Sequence, residues 1–312
     1  MLAKLSTRFS RSVRIARHDV KVLTDDGGHV WSYRLRPADA RPEIPPDARA
    51  VVFYVGGSGY DRSVVAVTGA VAGFVAMGMP VVLLERRGIE PDGSSDPVLA
   101  RRHADRPTRV ADALAATRSH LAGVRPGVPV ILVGESEGGA VAAAMAREEP
   151  RITHVILLGS GGGMTQAEEL AALAEHAPES GYATPDQLGA VFTEIRRHPD
   201  SDREWLGHPY RRWSSYLWSR PLDDLLAATT QVFLAHGDRD INVPVESARL
   251  VEEAFAAQGR SDQLRYREDP GLDHGFRDES GRSHLRLVEQ DVAAWLEEQG
   301  LLDGSRSQLK YR

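Results

Sequence analysis

The chain has 312 residues, 42% of them hydrophobic and 26% charged, a balance that suits a globular protein with a sizeable core in one large domain or two small ones. Its formal net charge of −6 is modest and spread along the chain, which leaves no basic footprint for nucleic acid or an anionic membrane surface. With no cysteine, disulfides, thiolate nucleophiles and cysteine metal sites are excluded, and the composition fits a cytoplasmic location.

In chain order, the opening "MLAKLSTRFSRSVRIARHDV" is basic and free of acids until Asp19, but lacks the apolar core of a secretory signal and reads as a solvated lead-in. No apolar stretch reaches the roughly 18 residues that span a bilayer. Strands are predicted at 20–23, 29–35, 50–55, 80–84, 129–133, 154–158, 231–235 and 264–267. The runs "AVVFYV", "PVVLLE", "PVILVG" and "HVILLG" are continuously apolar, as strands of a parallel sheet covered on both faces are. The two runs before Pro45 alternate, as in "VWSYRL", and predict a half-exposed antiparallel edge; the connector "RPADARPEIPPDARA" is broken by prolines and acids and reads as a loop. Helices are predicted at 64–77, 107–122, 140–148, 246–258 and 284–299 from apolar letters at three- and four-residue spacing. Strand and helix in alternation predict a doubly wound, mostly parallel α/β sheet of about eight strands.

From 161 to 229 the rhythm changes to helical text without a strand, which predicts a helical cap inserted into a core formed by 1–160 and 230–312. Trp205, Tyr210, Trp213, Tyr216 and Trp218 crowd fourteen positions of this insertion. Aromatic rings bury large areas, so they either pack the insertion onto the core or roof a pocket. The pocket expectation is carried by Tyr60, Trp213, Tyr216 and Trp218.

Reactive groups of a doubly wound sheet gather beyond the carboxyl ends of its strands. After "PVILV" stands Gly134-Glu135-Ser136-Glu137-Gly138, a GxSxG in which the glycines clear space around a serine on a strained strand-to-helix turn. The competing reading of Ser136 as a helix N-cap explains the serine but not the glycines. Small residues at Gly139, Ala140, Ala142, Ala143 and Ala144 let the next helix lie close to the sheet. After "QVFLA" comes "HGDRDINVPV", and after "LRYRE" comes "DPGLDHGF", which puts Asp240 and His274 at strand ends in the order serine, acid, histidine.

The segments "GESEGG", "HGDRDINVP" and "GLDHGF", in this order, resemble the α/β-hydrolase superfamily over nearly the whole chain. The resemblance implies a Ser136, His274 and Asp240 triad, with Asp240 preferred to its rival Asp238 and His236 a packed neighbour rather than the base. It also implies an oxyanion hole from the N–H of Glu137 and of Gly57, or of Ser58, with Val55 where the superfamily has histidine. The insertion 161–229 matches the superfamily's variable lid. The implied activity is hydrolysis of a carboxylic ester through an acyl-enzyme, the partner a small-molecule acyl substrate. Thioester cleavage and small-peptide or amide cleavage use the same triad, and a non-catalytic binding protein is the alternative of another class. A homodimer is the assembly allowed for.

Glu135 and Glu137 flank the nucleophile, where negative charge opposes a developing oxyanion by about 1 kcal/mol at 4 Å in water and by more in a dry site. Pairing of one of them with Arg86 or Arg87, at the end of the neighbouring strand, is the expectation. Reception of a cationic substrate is the rival, and "GES" carries a weak likeness to serine carboxypeptidases. Eleven histidines without HExxH predict no metal, and "GSGGG" at 159–163 lacks the spacing of a dinucleotide loop, so no cofactor is expected.

Overall fold

A computed structural model describes residues 15–37, 40–41, 43–46, 48–59, 69–177, 181 and 183–302. The expected lead-in, the first turn of the helix predicted at 64–77, Tyr60 and the polar tail lie wholly or largely outside these residues.

Strands β1 (Ile15–Leu23) and β2 (His29–Pro37) form an antiparallel hairpin. Then follow β3 (Val51–Val55), α1 (Gly69–Ala76), β4 (Val81–Leu84), α2 (Pro97–Arg102), α3 (Arg106–Leu121), β5 (Val130–Glu135), α4 (Glu137–Glu148) and β6 (Ile152–Leu158). The stretch after β6 holds α5 (Gln166–His176), α6 (Pro185–Arg197), β7 (Glu204–Trp205), β8 (His208–Pro209), α7 (Tyr210–Tyr216) and α8 (Pro221–Ala227). The chain returns to the sheet with β9 (Gln231–Gly237), α9 (Val245–Ala257), β10 (Leu264–Asp269) and α10 (Leu285–Glu298).

The eight long strands make one sheet in the order β1-β2-β4-β3-β5-β6-β9-β10. β1 and β2 are antiparallel to their neighbours, and the rest run parallel. Side chains alternate across a strand, so Val51, Phe53 and Val55 enter the apolar layer under α3, α4 and α9, while Val52 and Tyr54 enter the layer under α1 and α10. Burial on both faces explains why β3 to β6 read as unbroken apolar runs; each such side chain contributes about 2 kcal/mol. β1 begins five residues before its predicted start because the added half, 15–19, carries no apolar alternation; pairing with β2 holds it instead.

The 161–229 stretch is not wholly helical. β7 and β8 pair around Leu206 and Gly207, both at positive φ (48° and 76°), the geometry of a tight two-residue hairpin. Leu170, Leu188, Ile195, Trp213 and Leu217 form its own small core, against which Trp205, Tyr210 and Trp218 pack. α2 has no counterpart among the predicted helices; Asp96 caps it by accepting from the N–H groups of Val98 and Leu99, and Pro97 opens it.

Candidate active site

β5 ends at Glu135 and α4 begins at Glu137, so the chain turns at one residue. Ser136 has φ 52° and ψ −126°, a conformation that costs an L residue about 1–3 kcal/mol and persists only when its surroundings over-determine it. Here they do. A Cβ at Gly134 would lie 2.7 Å from the Gly138 carbonyl oxygen, and one at Gly138 would lie 2.2 Å from that of Val55. One at Gly139 would lie 2.4 Å from the side chain of Ser160. Ser136 makes no side-chain cap to the helix, which disposes of the N-cap reading.

At the end of β9, Asp240 is buried. Its Oδ1 accepts from the N–H groups of Asn242 (2.8 Å) and Val243 (3.0 Å), and its Oδ2 lies 2.6 Å from Nδ1 of His274. Burial alone would raise its pKa, but the hydrogen bonds from His236 and His274 outweigh it and hold the carboxyl well below the usual range. Burial conversely depresses the imidazole of His274, yet its bond to Asp240 and the charge there leave its pKa above the ordinary value. Buried His236 lies 3.0 Å from the Val243 carbonyl oxygen and 3.3 Å from Oδ2 of Asp240 through Nε2, a second brace on the acid. Asp238 is exposed and accepts from the N–H of Gly271 at 2.6 Å, away from the imidazole.

Ser136 and His274 line the same cavity of about 300 Å³, with Ser58 and Glu137 on the sheet side and Trp213 and Tyr216 from α7 opposite. Among the described residues no direct hydrogen bond joins the Ser136 hydroxyl to the imidazole; such contacts often tighten only around substrate. Gly57 abuts Ser136, since a Cβ there would sit 3.1 Å from Cβ of Ser136. Trp218 packs beneath Arg196 at 4.6 Å and is not part of the cavity wall. Tyr60 falls outside the described residues.

The pairing expected for the flanking glutamates is corrected. Glu137 is bound by Arg109 of α3 and Arg212 of α7, not by Arg86 or Arg87. Glu135 accepts from the Tyr54 hydroxyl. Arg87 is taken up by Asp112, at 2.7 Å through two nitrogens, and by Asp26 at 2.6 Å, whereas Arg86 donates to the carbonyls of Gly57 and Gly59. Burial alone would raise Glu137, but Arg212, Arg109 and Arg86 hold it at about 2, so it is a carboxylate.

Several residues escaped the sequence reading. Glu169 faces the cavity from α5 and accepts from Ser247 Oγ at 2.7 Å; burial, with the charge of Asp240 nearby, pushes its pKa up to about 8. Gly159, at φ 58°, leaves room for His274, whose Nδ1 would stand 3.4 Å from a Cβ there. The glycine-rich "GSGGG" is the available signal for that close approach, although it fails as a dinucleotide motif. No cluster of His, Cys, Asp or Glu among the described residues could hold a metal ion, and no described helix is long and apolar enough to cross a membrane.

A mostly parallel eight-stranded sheet, with Ser136 on a strand-to-helix turn after its fifth strand and Asp240 and His274 in the loops after its last two, is the α/β-hydrolase fold. Residues 46–202 match the model of the family described as serine aminopeptidase, S33, and the chain belongs to that family, among hydrolases of esterase and peptidase type. The match takes in Ser136 and stops short of Asp240 and His274. Among solved structures, an esterase of Pyrococcus furiosus superposes with a TM-score of 0.61 at 13% identity, covering 91% of both chains. A hyperthermophilic esterase of Pyrobaculum calidifontis does so at 0.59 and 19%, covering 92% of this chain and 86% of that one. A puromycin-hydrolysing peptidase of Mycobacterium tuberculosis does so at 0.61 and 20%, covering 90% of this chain but 40% of that one. No curated protein matches by sequence.

Proposed function

We propose that the protein is a serine hydrolase that cleaves a carboxylic ester through an acyl-enzyme. The observation that carries this reading is the 2.6 Å contact between Nδ1 of His274 and buried Asp240, beside a cavity shared with a serine in strained elbow geometry. With Nδ1–H engaged by the carboxylate, Nε2 is left as the basic nitrogen. It takes the Ser136 proton as the hydroxyl attacks the acyl carbonyl, then returns it to the leaving alkoxide; water repeats the sequence to release the acid. Asp240 fixes the tautomer and stabilises the imidazolium.

Negative charge on the carbonyl oxygen is held by the N–H of Glu137, which as the first residue of α4 has no partner within its helix, and by that of Gly57 or Ser58. The segment 161–229 acts as the lid whose Trp213 and Tyr216 select substrate.

A second reading, cleavage of a small peptide or amide, is favoured by the polar cavity lining of Ser160, Gln166, Glu169 and Asn242, and by the aminopeptidase description of the family. The test is labelling by a fluorophosphonate, expected in the wild type and abolished in Ser136→Ala, followed by turnover of p-nitrophenyl esters against aminoacyl amides. A folded wild type that neither labels nor turns over any of these would leave a non-catalytic binding protein.

A further inference from the structure

A glutamate directly after the nucleophile carries its own difficulty. The backbone N–H of Glu137 is the one assigned to the oxyanion, so a negative side chain stands on the very residue whose N–H must hold negative charge. A buried carboxylate is tolerated only while its acceptor sites are filled, and one stripped of a partner seeks the nearest donors. The N–H groups that open α4, its own among them, have no partner inside the helix and adjoin it in the chain.

Three arginines prevent this. Arg109, from α3, reaches the Glu137 carboxylate with one nitrogen and the Gly56 carbonyl with another at 3.1 Å, so it bridges the two segments that supply the oxyanion donors. Arg86 holds the carbonyls of Gly57 and Gly59 from the other side. Arg212 completes the set: its Nε lies 2.8 Å from Oε2 of Glu137, its Nη2 meets the same oxygen, and its Nη1 donates to Gln166 of α5 at 3.0 Å. It is itself 4% exposed and lies between the rings of Trp213 and Tyr216, 4.1 and 4.7 Å from their centroids. Arg212 and Gln166 both belong to the 161–229 segment, whereas Glu137 and Arg109 belong to the sheet core.

We propose that Arg212 is a positioning residue through which the 161–229 segment sets the oxyanion hole, acting on the Glu137 carboxylate rather than on substrate. The catalytic hole is then complete only when this segment is seated. With Arg212 gone, Oε1 stays with Arg109 but Oε2 loses both of its bonds and turns toward the amides beside it, and the loss approaches that of an oxyanion-hole donor, roughly 100-fold in kcat. The inference rests on the serine-hydrolase reading above.

The experiment is a double-mutant cycle of Arg212→Gln and Glu137→Gln, with kcat and KM on the best ester and the affinity of a boronic acid, which forms an anionic tetrahedral adduct on the serine. With Glu137 in place, Arg212→Gln should lower kcat about 100-fold and weaken the boronate in parallel, with KM within about 3-fold. In the Glu137→Gln background, where no carboxylate seeks a donor, the same substitution should cost less than about 5-fold. Arg212→Lys, which keeps a charge beside Glu137 but contacts it through one nitrogen, should recover part of the loss and leave about 10-fold. Equal losses in the two backgrounds would mean that Arg212 only packs the segment or acts directly by its charge, and the inference falls. If Arg212→Gln does not fold, the cycle is run with Arg212→Lys, for which a loss of about 10-fold confined to the chain that keeps Glu137 supports the proposal and equal losses overturn it. A wild type without Ser136-dependent turnover sinks the hydrolase reading first, and this inference with it.

Discussion

One substitution, glycine to alanine, should act in opposite directions at Gly138 of the elbow and at Gly189 of α6. A methyl group at Gly138 would sit 2.2 Å from the Val55 carbonyl oxygen, 2.7 Å from that of Gly56 and 2.9 Å from the Val55 carbonyl carbon. Ordinary contact begins at 3.4 Å, so the nearest atom must give by 1.2 Å, and all three belong to backbone rather than to a side chain that can swing away. The end of β3 and the Gly56–Gly57 segment must therefore move away from Ser136. Overpacking of this kind costs about 1–3 kcal/mol, a fall in Tm of several degrees for a chain this long. A shift of about 1 Å in a group that positions the reacting atoms costs on the order of 100-fold in rate.

Gly189 is the control. It lies exposed within α6 with nothing within 4 Å of a built Cβ, so Gly189→Ala should stabilise by about 0.5–1 kcal/mol and leave turnover alone. Calorimetry and the second-order rate of fluorophosphonate labelling measure both effects. A Gly138→Ala protein with wild-type Tm and labelling rate would refute the steric reasoning and with it the claim that the elbow is held by contact with β3.

Asp240→Asn should lower kcat by about 10⁴ through the wrong imidazole tautomer, while Asp238→Asn, at an exposed side chain that accepts from Gly271 and keeps an acceptor oxygen as asparagine, should change rate less than about 3-fold; the reverse order would reassign the acid. Because His274 titrates above its ordinary value and only its neutral form accepts a proton, kcat/KM should rise with pH through a midpoint above about 6.5, and a lower midpoint would contradict the Asp240 contact. Glu169 is held neutral in the folded chain up to about pH 8, whereas in the unfolded chain it ionises near its ordinary value of 4.5. Between those limits the native state binds the extra proton, so stability should fall as pH rises, by up to about 1.4 kcal/mol per pH unit. Glu169→Gln should flatten the Tm profile over that window, and an unchanged slope would place the titration elsewhere.

Much of this architecture is legible in the chain because burial on two faces leaves a plain mark. β3 to β6 and β9 are runs of consecutive apolar letters, and Ser136 and Asp240 stand just beyond the carboxyl ends of two of them. Elements held by pairing or by local backbone geometry leave no such mark. The outer half of β1 carries charge on its wet face, and the β7–β8 turn puts leucine at a positive φ, a choice no turn preference suggests. The partners of Glu137 were missed for another reason. The arginines adjacent to a strand end were the natural candidates, yet the side chains that reach the carboxylate come from positions 28 and 75 residues away on two helices. A long guanidinium arm lets almost any neighbouring helix compete for a buried acid. In "YRRWSSYLW" the usable clue was an arginine among aromatic residues on a short helix.

The site divides its tasks by rigidity. Ser136 is locked by its own backbone, its N–H donating to Leu158 at 2.9 Å and its carbonyl accepting from Gly139 at 2.9 Å, so the strain at this residue is borne by the β5–β6 ladder and the close packing of α4. Asp240 is similarly tied by two amides and by His236 before it meets the imidazole. The cavity wall from α5 and α7, by contrast, is anchored on a separate small apolar cluster and meets the elbow through the Arg212–Glu137 pair. On the proposed reading, changes at Met164, Leu170 or Leu206 should therefore redistribute preference among acyl groups without touching the chemistry. On the same reading, changes at the base of the wall, where Arg212 enters the core, should alter the rate for every substrate alike, because there the segment would bear, through the Glu137 carboxylate, on the donors proposed for the transition state.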